Sequence, residues 1–146
     1  MNAITLSLRI TASDSVARAA VGRRQFPIGR PVEFDEASPH VSAIEYALGA
    51  VGGELVNGLR EFARRRRIVI DDVEAIVTGE LASGLAYLEV IGEHGRPSIS
   101  RIAVKVFVSS PDERVRSVFE DMLHCLPLLN TLRHAVDVQV DLVLTS

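Results

Sequence analysis

The chain has 146 residues, of which 47% are apolar and 24% charged, with a net charge of −3. This suits one globular domain, residues 1–146, with a sizeable core; the acidic balance argues against a general nucleic-acid binder, and no apolar run reaches the roughly 18 residues of a membrane span. A single cysteine, Cys125, rules out an internal disulfide, and the opening MNAITLSLRI lacks the charged start and long apolar core of a signal peptide, so a reducing, cytoplasmic setting is expected.

From the start, Ile4 to Ile10 alternates apolar and polar residues, the period of a half-buried strand. Thr11 to Ser15 is turn-prone, Val16 to Val21 predicts a second strand, and Gly22 allows the reversal into Gln25 to Ile28, giving an antiparallel meander. Gly29 to Pro39, acidic and with two prolines, predicts an extended connection. Beyond the helix described next, three alternating runs, Val73 to Leu81, Leu85 to Ile91 and Ile99 to Val108, predict a second meander. Pro111 to Leu123 opens with a helix-start pattern, Leu128 to His134 predicts a short helical turn after Pro127, and Val136 to Leu144 alternates strictly as a last strand. Strands, long helix, strands, helix and strand together indicate an α+β domain with antiparallel sheet packed on helices.

The longest helical segment is Ser42 to Arg67. Ile44, Leu48, Val51, Leu55, Leu59 and Phe62 recur at steps of three and four and form one apolar stripe. Ser38 or Ser42 can cap its start, and Ser42 with Glu45 three residues later has the spacing of a capping box. A second face carries Ala43, Ala47, Ala50, Glu54 and Gly58, so one carboxylate sits in a row of small side chains. Gly49, Gly52, Gly53 and Gly58 each cost a helix interior roughly 0.8–1 kcal/mol relative to Ala, which predicts close approach of another backbone.

Glu54 is the first candidate for chemistry. In a partly dry cleft it could serve as general acid or base, or anchor a cationic or hydroxylated ligand; as a structural group it would pair with an arginine, for which Arg24 and Arg30 are candidates, or cap a neighbouring group across a dimer. Cys125 next to His124 reads as an inert buried thiol. Arg64 to Arg67 reads as cations meeting the negative end of the helix dipole rather than as a phosphate site. His40, His94, His124 and His134 show no metal-site spacing, no glycine-rich phosphate loop follows a strand, and no nucleophile elbow is present, so neither a metal nor a cofactor is expected.

The order of elements, the segment SAIEYALGAVGGEL and the later LPLLNTL before a terminal alternating strand resemble the OsmC/Ohr family over residues 2–144. In that family the first segment reads like N-P-x-E-L-L-x-A-A-L-G-G-C and the second like C-P-V-x-x-T-L. The resemblance implies antiparallel sheets wrapped around a long central helix in an intertwined homodimer, and in active members reduction of organic hydroperoxides by a peroxidatic and a resolving cysteine. Carried over residue by residue, the peroxidatic position falls on Glu54 and the resolving position on Leu126, with Cys125 one residue early. The carboxylate that holds a catalytic arginine in one branch is replaced by Ile44. A glutamate cannot form a sulfenic acid, so thiol peroxidase chemistry at this position is not expected. The expectation is therefore a homodimer that binds or processes a small, largely apolar molecule in an interfacial cleft, with Glu45, Glu54, Arg24, Arg30, His124 and Leu126 as cleft candidates and Glu54 and Cys125 as candidate catalytic groups. Residual peroxidase activity through Cys125, or a non-catalytic role beside an active paralogue, are the alternatives.

Overall fold

In the computed structural model, residues 2–14, 16–30 and 39–146 are described, and they group into two units, residues 1–47 and 48–146. In the first unit, β1 (Arg9–Ser13), β2 (Val16–Val21) and β3 (Arg24–Ile28) form an antiparallel sheet in that order. The first strand lies later than the alternation at Ile4 to Ile10 predicts. Ser13 pairs with Val16, so the expected turn at 11–15 shrinks to two residues, with Asp14 at φ 41°, and the pairing runs out at Arg9 opposite Ala20. Ile4 and Leu6 are left 89% and 85% exposed, and Leu8 and Ile10 are exposed as well. The expected acidic connection falls largely on residues 31–38, Ser38 among them, which lie outside the described residues.

Helix α1 (Ala43–Arg65) starts in the first unit and continues in the second. Its N-terminus is closed by the box the sequence predicts: the Ser42 N–H donates to Glu45 Oε2 at 2.8 Å, and the Glu45 N–H donates to Ser42 Oγ at 3.3 Å. Nearby, the Gly29 N–H donates to the Val41 carbonyl at 2.8 Å, and the rings of Phe26 and Tyr46 meet with centroids 5.3 Å apart. At its other end Arg67 takes φ 55°, its N–H donates to the Arg64 carbonyl at 3.2 Å, and the Ile68 N–H reaches back to the Ala63 carbonyl at 2.9 Å. Those bonds, with Ala63 and Ile68 both buried, make a Schellman closure in which an arginine occupies the left-handed position usually given to glycine.

The second unit holds a mixed sheet rather than a meander. β4 (Asp72–Ala82) and β5 (Ser98–Ser109) pair antiparallel, whereas β6 (Asp137–Thr145) lies parallel to β5. A parallel return needs a crossover, and α3 (Val115–Leu123) and α4 (Pro127–Leu132) provide it. The fold is α+β as the element order predicts, with this one sheet mixed instead of antiparallel. LAYLEVI, expected as a strand, begins instead with the single-turn helix α2 (Gly84–Tyr87). Ala82 already pairs with Ser98, so residues 83–97 are an excursion that pairs with no described strand, and Ser83 at φ 55° turns the chain away from β4.

The core of this unit lies between α1 and the inner face of β5. Val51, Leu55, Leu59 and Ala63 of α1 are buried with Ile102, Val104, Val106 and Val108 of β5 and with Val115, Val118, Phe119 and Met122 of α3. The predicted stripe is buried at Val51, Leu55 and Leu59 and half-buried at Ile44, Leu48 and Phe62, and the period-two alternation of β5 sends its other side chains to the opposite face. Two of the four helix glycines have packing reasons. A Cβ at Gly52 would stand 2.8 Å from Val77 Cγ2, and one at Gly58 would stand 2.9 Å from Leu126 Cδ2. The close approach is by side chains, not by another backbone as the sequence led us to expect, and among the described residues nothing lies within 4 Å of a Cβ at Gly49 or Gly53. No helix among the described residues is long and apolar enough to cross a membrane.

Candidate functional site at the start of the short fourth helix

Pro127 opens α4 at its first turn, where the missing N–H costs nothing, but the preceding residue is Leu126, in extended conformation and with no side chain able to cap. The next two backbone donors therefore need acceptors from elsewhere. Glu54 supplies them across 74 residues of chain: Oε1 accepts from the Leu128 N–H at 2.9 Å, and Oε2 accepts from the Leu129 N–H at 2.9 Å. The carboxylate thus straddles the N-terminus of α4, satisfying both donors and placing its charge at the positive end of the peptide dipoles. The Asn130 N–H then makes the first bond within the helix, to the Leu126 carbonyl at 2.9 Å.

Both oxygens are engaged by the backbone of the same chain, so neither an arginine nor a second subunit is required to hold the partly buried carboxylate in place. The cap is made within the chain. The other expected partners, Arg24 at the start of β3 and Arg30 after Gly29, belong to the first unit. Glu45 belongs there as well and is occupied by its capping box.

Leu126 is buried and packs on Gly58, one turn beyond Glu54, so the two positions matched to the family cysteines meet in space. His124 and Cys125 form the turn between α3 and α4. The Cys125 N–H donates to the Met122 carbonyl at 2.8 Å, and Asn130 Nδ2 donates to the His124 carbonyl at 3.0 Å. Cys125 is exposed in this chain, which corrects the expectation of a buried thiol: its neighbour Leu126 points into the core, and consecutive residues of the turn cannot share that direction. Among the described residues no group of three or more His, Cys, Asp or Glu side chains is placed to hold a metal ion.

The partners of Glu54, the N–H groups of Leu128 and Leu129, escaped the sequence reading because backbone donors have no letter in a sequence. One signal was present. A helix opened by Leu-Pro, without Ser, Thr, Asp or Asn at its cap position, needs an acceptor from elsewhere in the chain.

Residues 35–141 match the family model for OsmC-like protein. No curated protein is found to match the sequence. Among solved structures, the chain is similar to the OsmC-like protein from Mycoplasma pneumoniae, with a TM-score of 0.79 and 15% identity over 98% of this chain and 99% of that one. It is also similar to the organic hydroperoxide resistance protein OsmC from Legionella pneumophila, with a TM-score of 0.69 and 12% identity over 97% and 98% of the two chains. The organic hydroperoxide resistance protein of Bacillus subtilis gives a TM-score of 0.61 and 16% identity over 96% and 98%. At such identities the structures speak for the fold alone, and the family model, which spans well over half the chain, speaks for descent: the protein belongs to the OsmC-like family.

Proposed function

We propose that this OsmC-like protein is a homodimer that binds a small, largely apolar molecule and does not act as a thiol peroxidase at the position where active relatives carry their nucleophile. The observation that carries this reading is Glu54. Its side chain has no sulfur to oxidise, and both of its oxygens are engaged in holding α4. Glu54 is then a positioning group, keeping Leu126 and α4 in place rather than reacting.

Two features support the dimer. The helix face of Ala43, Ala47 and Ala50 is exposed in the single chain, Gly49 on the flank has open space around it among the described residues, and the row Ile4, Leu6, Leu8 and Ile10 presents alternating apolar side chains that no described residue buries. A second copy covering them would make a strand-rich, helix-centred interface of the kind the family resemblance implies. Sedimentation should show a dimer at micromolar concentration, and a stable monomer would refute that part of the proposal.

The direct test is turnover of cumene hydroperoxide with a dithiol reductant, alongside binding of cumyl alcohol followed by ligand-observed NMR. The native protein should bind the alcohol and leave the hydroperoxide intact. A second reading draws on the exposure of Cys125. Its thiolate would take one oxygen from ROOH, releasing ROH and leaving a sulfenic acid, which two external thiols would return to the thiol with loss of water and formation of their disulfide. Turnover by the native protein that Cys125→Ser abolishes would establish this second reading and overturn the first.

A further inference from the structure

The last two turns of α1 and the chain returning from it into β4 enclose an open groove of about 520 Å³. The Schellman closure at Arg67 makes it, by sending residues 68–73 back along the helix. Arg60 and Arg64 stand on the helix wall, one turn apart; Asp71 and Asp72 stand on the returning wall; Val56 and the largely exposed Val69 supply apolar surface between them.

The four charges are not equally available. Arg64 is committed to Glu61, with Nε to Oε2 at 2.9 Å and Nη2 to Oε1 at 2.8 Å. Asp72 Oδ1 accepts from the Val73 N–H at 2.9 Å. The side chains of Arg60 and Asp71, by contrast, make no hydrogen bond or ion pair among the described residues, with each other included. Two cations and two anions line the groove, so a simple anion drawn to one wall is repelled by the other, and the same holds for a simple cation. A ligand carrying both charges on a compact apolar body meets neither penalty. Guanidinium is suited to gripping a carboxylate with two parallel hydrogen bonds, and a carboxylate such as that of Asp71 accepts from an ammonium.

We propose that this groove, separate from the site at Glu54, binds a small zwitterion with an apolar body, its carboxylate on Arg60 and its ammonium on Asp71. Free apolar amino acids and short apolar peptides with free termini share that chemistry. Because both charged groups are solvent-exposed, the affinity is in the millimolar range.

The full-length protein is titrated by NMR with L-leucine and with L-leucyl-L-leucine, and with isocaproate and isoamylamine as molecules keeping only one charge each. At least one zwitterion should saturate, each single-charge molecule should bind roughly tenfold more weakly or worse, and Arg60→Ala and Asp71→Asn should each weaken the zwitterion by roughly tenfold. Which zwitterion binds more tightly identifies the source. The assignment is overturned if neither zwitterion saturates, if isocaproate binds as tightly as leucine, or if both variants bind unchanged. Both substitutions lie on the surface, so the fold should survive them.

Discussion

Helix α1 carries two glutamates that do the same job in different ways. Glu45 closes the start of its own helix with Ser42, three residues away, and Glu54 closes the start of α4, more than seventy residues along the chain. The chemistry is the same, backbone donors satisfied by a carboxylate. The difference lies in what each cap joins. The first stabilises a local turn and leaves the tertiary structure alone; the second ties the central helix to the crossover between β5 and β6, so its loss should be felt through the packing of Leu126 and Leu129.

The largest expected effect follows from breaking the remote cap. Glu54→Ala leaves the N–H groups of Leu128 and Leu129 without acceptors in a partly buried setting and should lower stability by about 2–3 kcal/mol. Glu54→Gln keeps one acceptor and should lose about half of that. Urea denaturation of both variants gives the comparison, and equal, negligible shifts would mean that water replaces the carboxylate without cost. Breaking the local cap is the smaller perturbation. Ser42→Ala should lose about 1 kcal/mol, concentrated in fraying of the first turn of α1, readable as faster amide exchange at residues 43–46.

The other end of α1 offers a change of opposite sign. Arg67 holds a left-handed conformation at φ 55°. Arg67→Gly should raise stability by up to about 1 kcal/mol in thermal unfolding, since glycine adopts that conformation without the clash of a Cβ. A loss on this substitution would show that the arginine stem contributes more packing than its backbone costs.

Smallest of all is a third glutamate of the same helix. Hydrogen bonds from Arg64 and then Arg65 hold the Glu61 carboxyl down to about 2 from an ordinary 4.5. A depressed carboxyl favours the folded state above its unfolded value, so this contribution is complete above about pH 4.5 and disappears as the pH falls towards 2. All the groups are on the surface, so Glu61→Gln should change stability only slightly, and whatever difference separates native from variant should be greatest above pH 4.5, fade as the pH falls towards 2, and shrink in high salt.

Much of the fold was legible because its determinants are local. The stripe Val51, Leu55, Leu59, the box of Ser42 and Glu45, and the alternation of β5 and β6 are each contained within a few residues of sequence. What escaped were the non-local features. LAYLEVI alternates like a strand, but the register of β4 with β5 leaves it outside the paired residues. The parallel direction of β6 is set by the crossover through α3 and α4, which the strand's own residues do not encode. At the site, the role of Glu54 depended on two backbone donors and on a missing cap at Leu126, neither of which its own neighbours in sequence encode.

The length of chain between Glu54 and α4 also has a kinetic meaning. The bond spans 74 positions, with the hairpin of β4 and β5 and helix α3 between its ends, so its closure is expected late in folding. The carboxylate therefore acts less as a nucleus than as a latch. Removing it should leave the folding rate nearly intact and hasten unfolding, so that the lifetime of the native state, more than the speed of reaching it, depends on this one side chain.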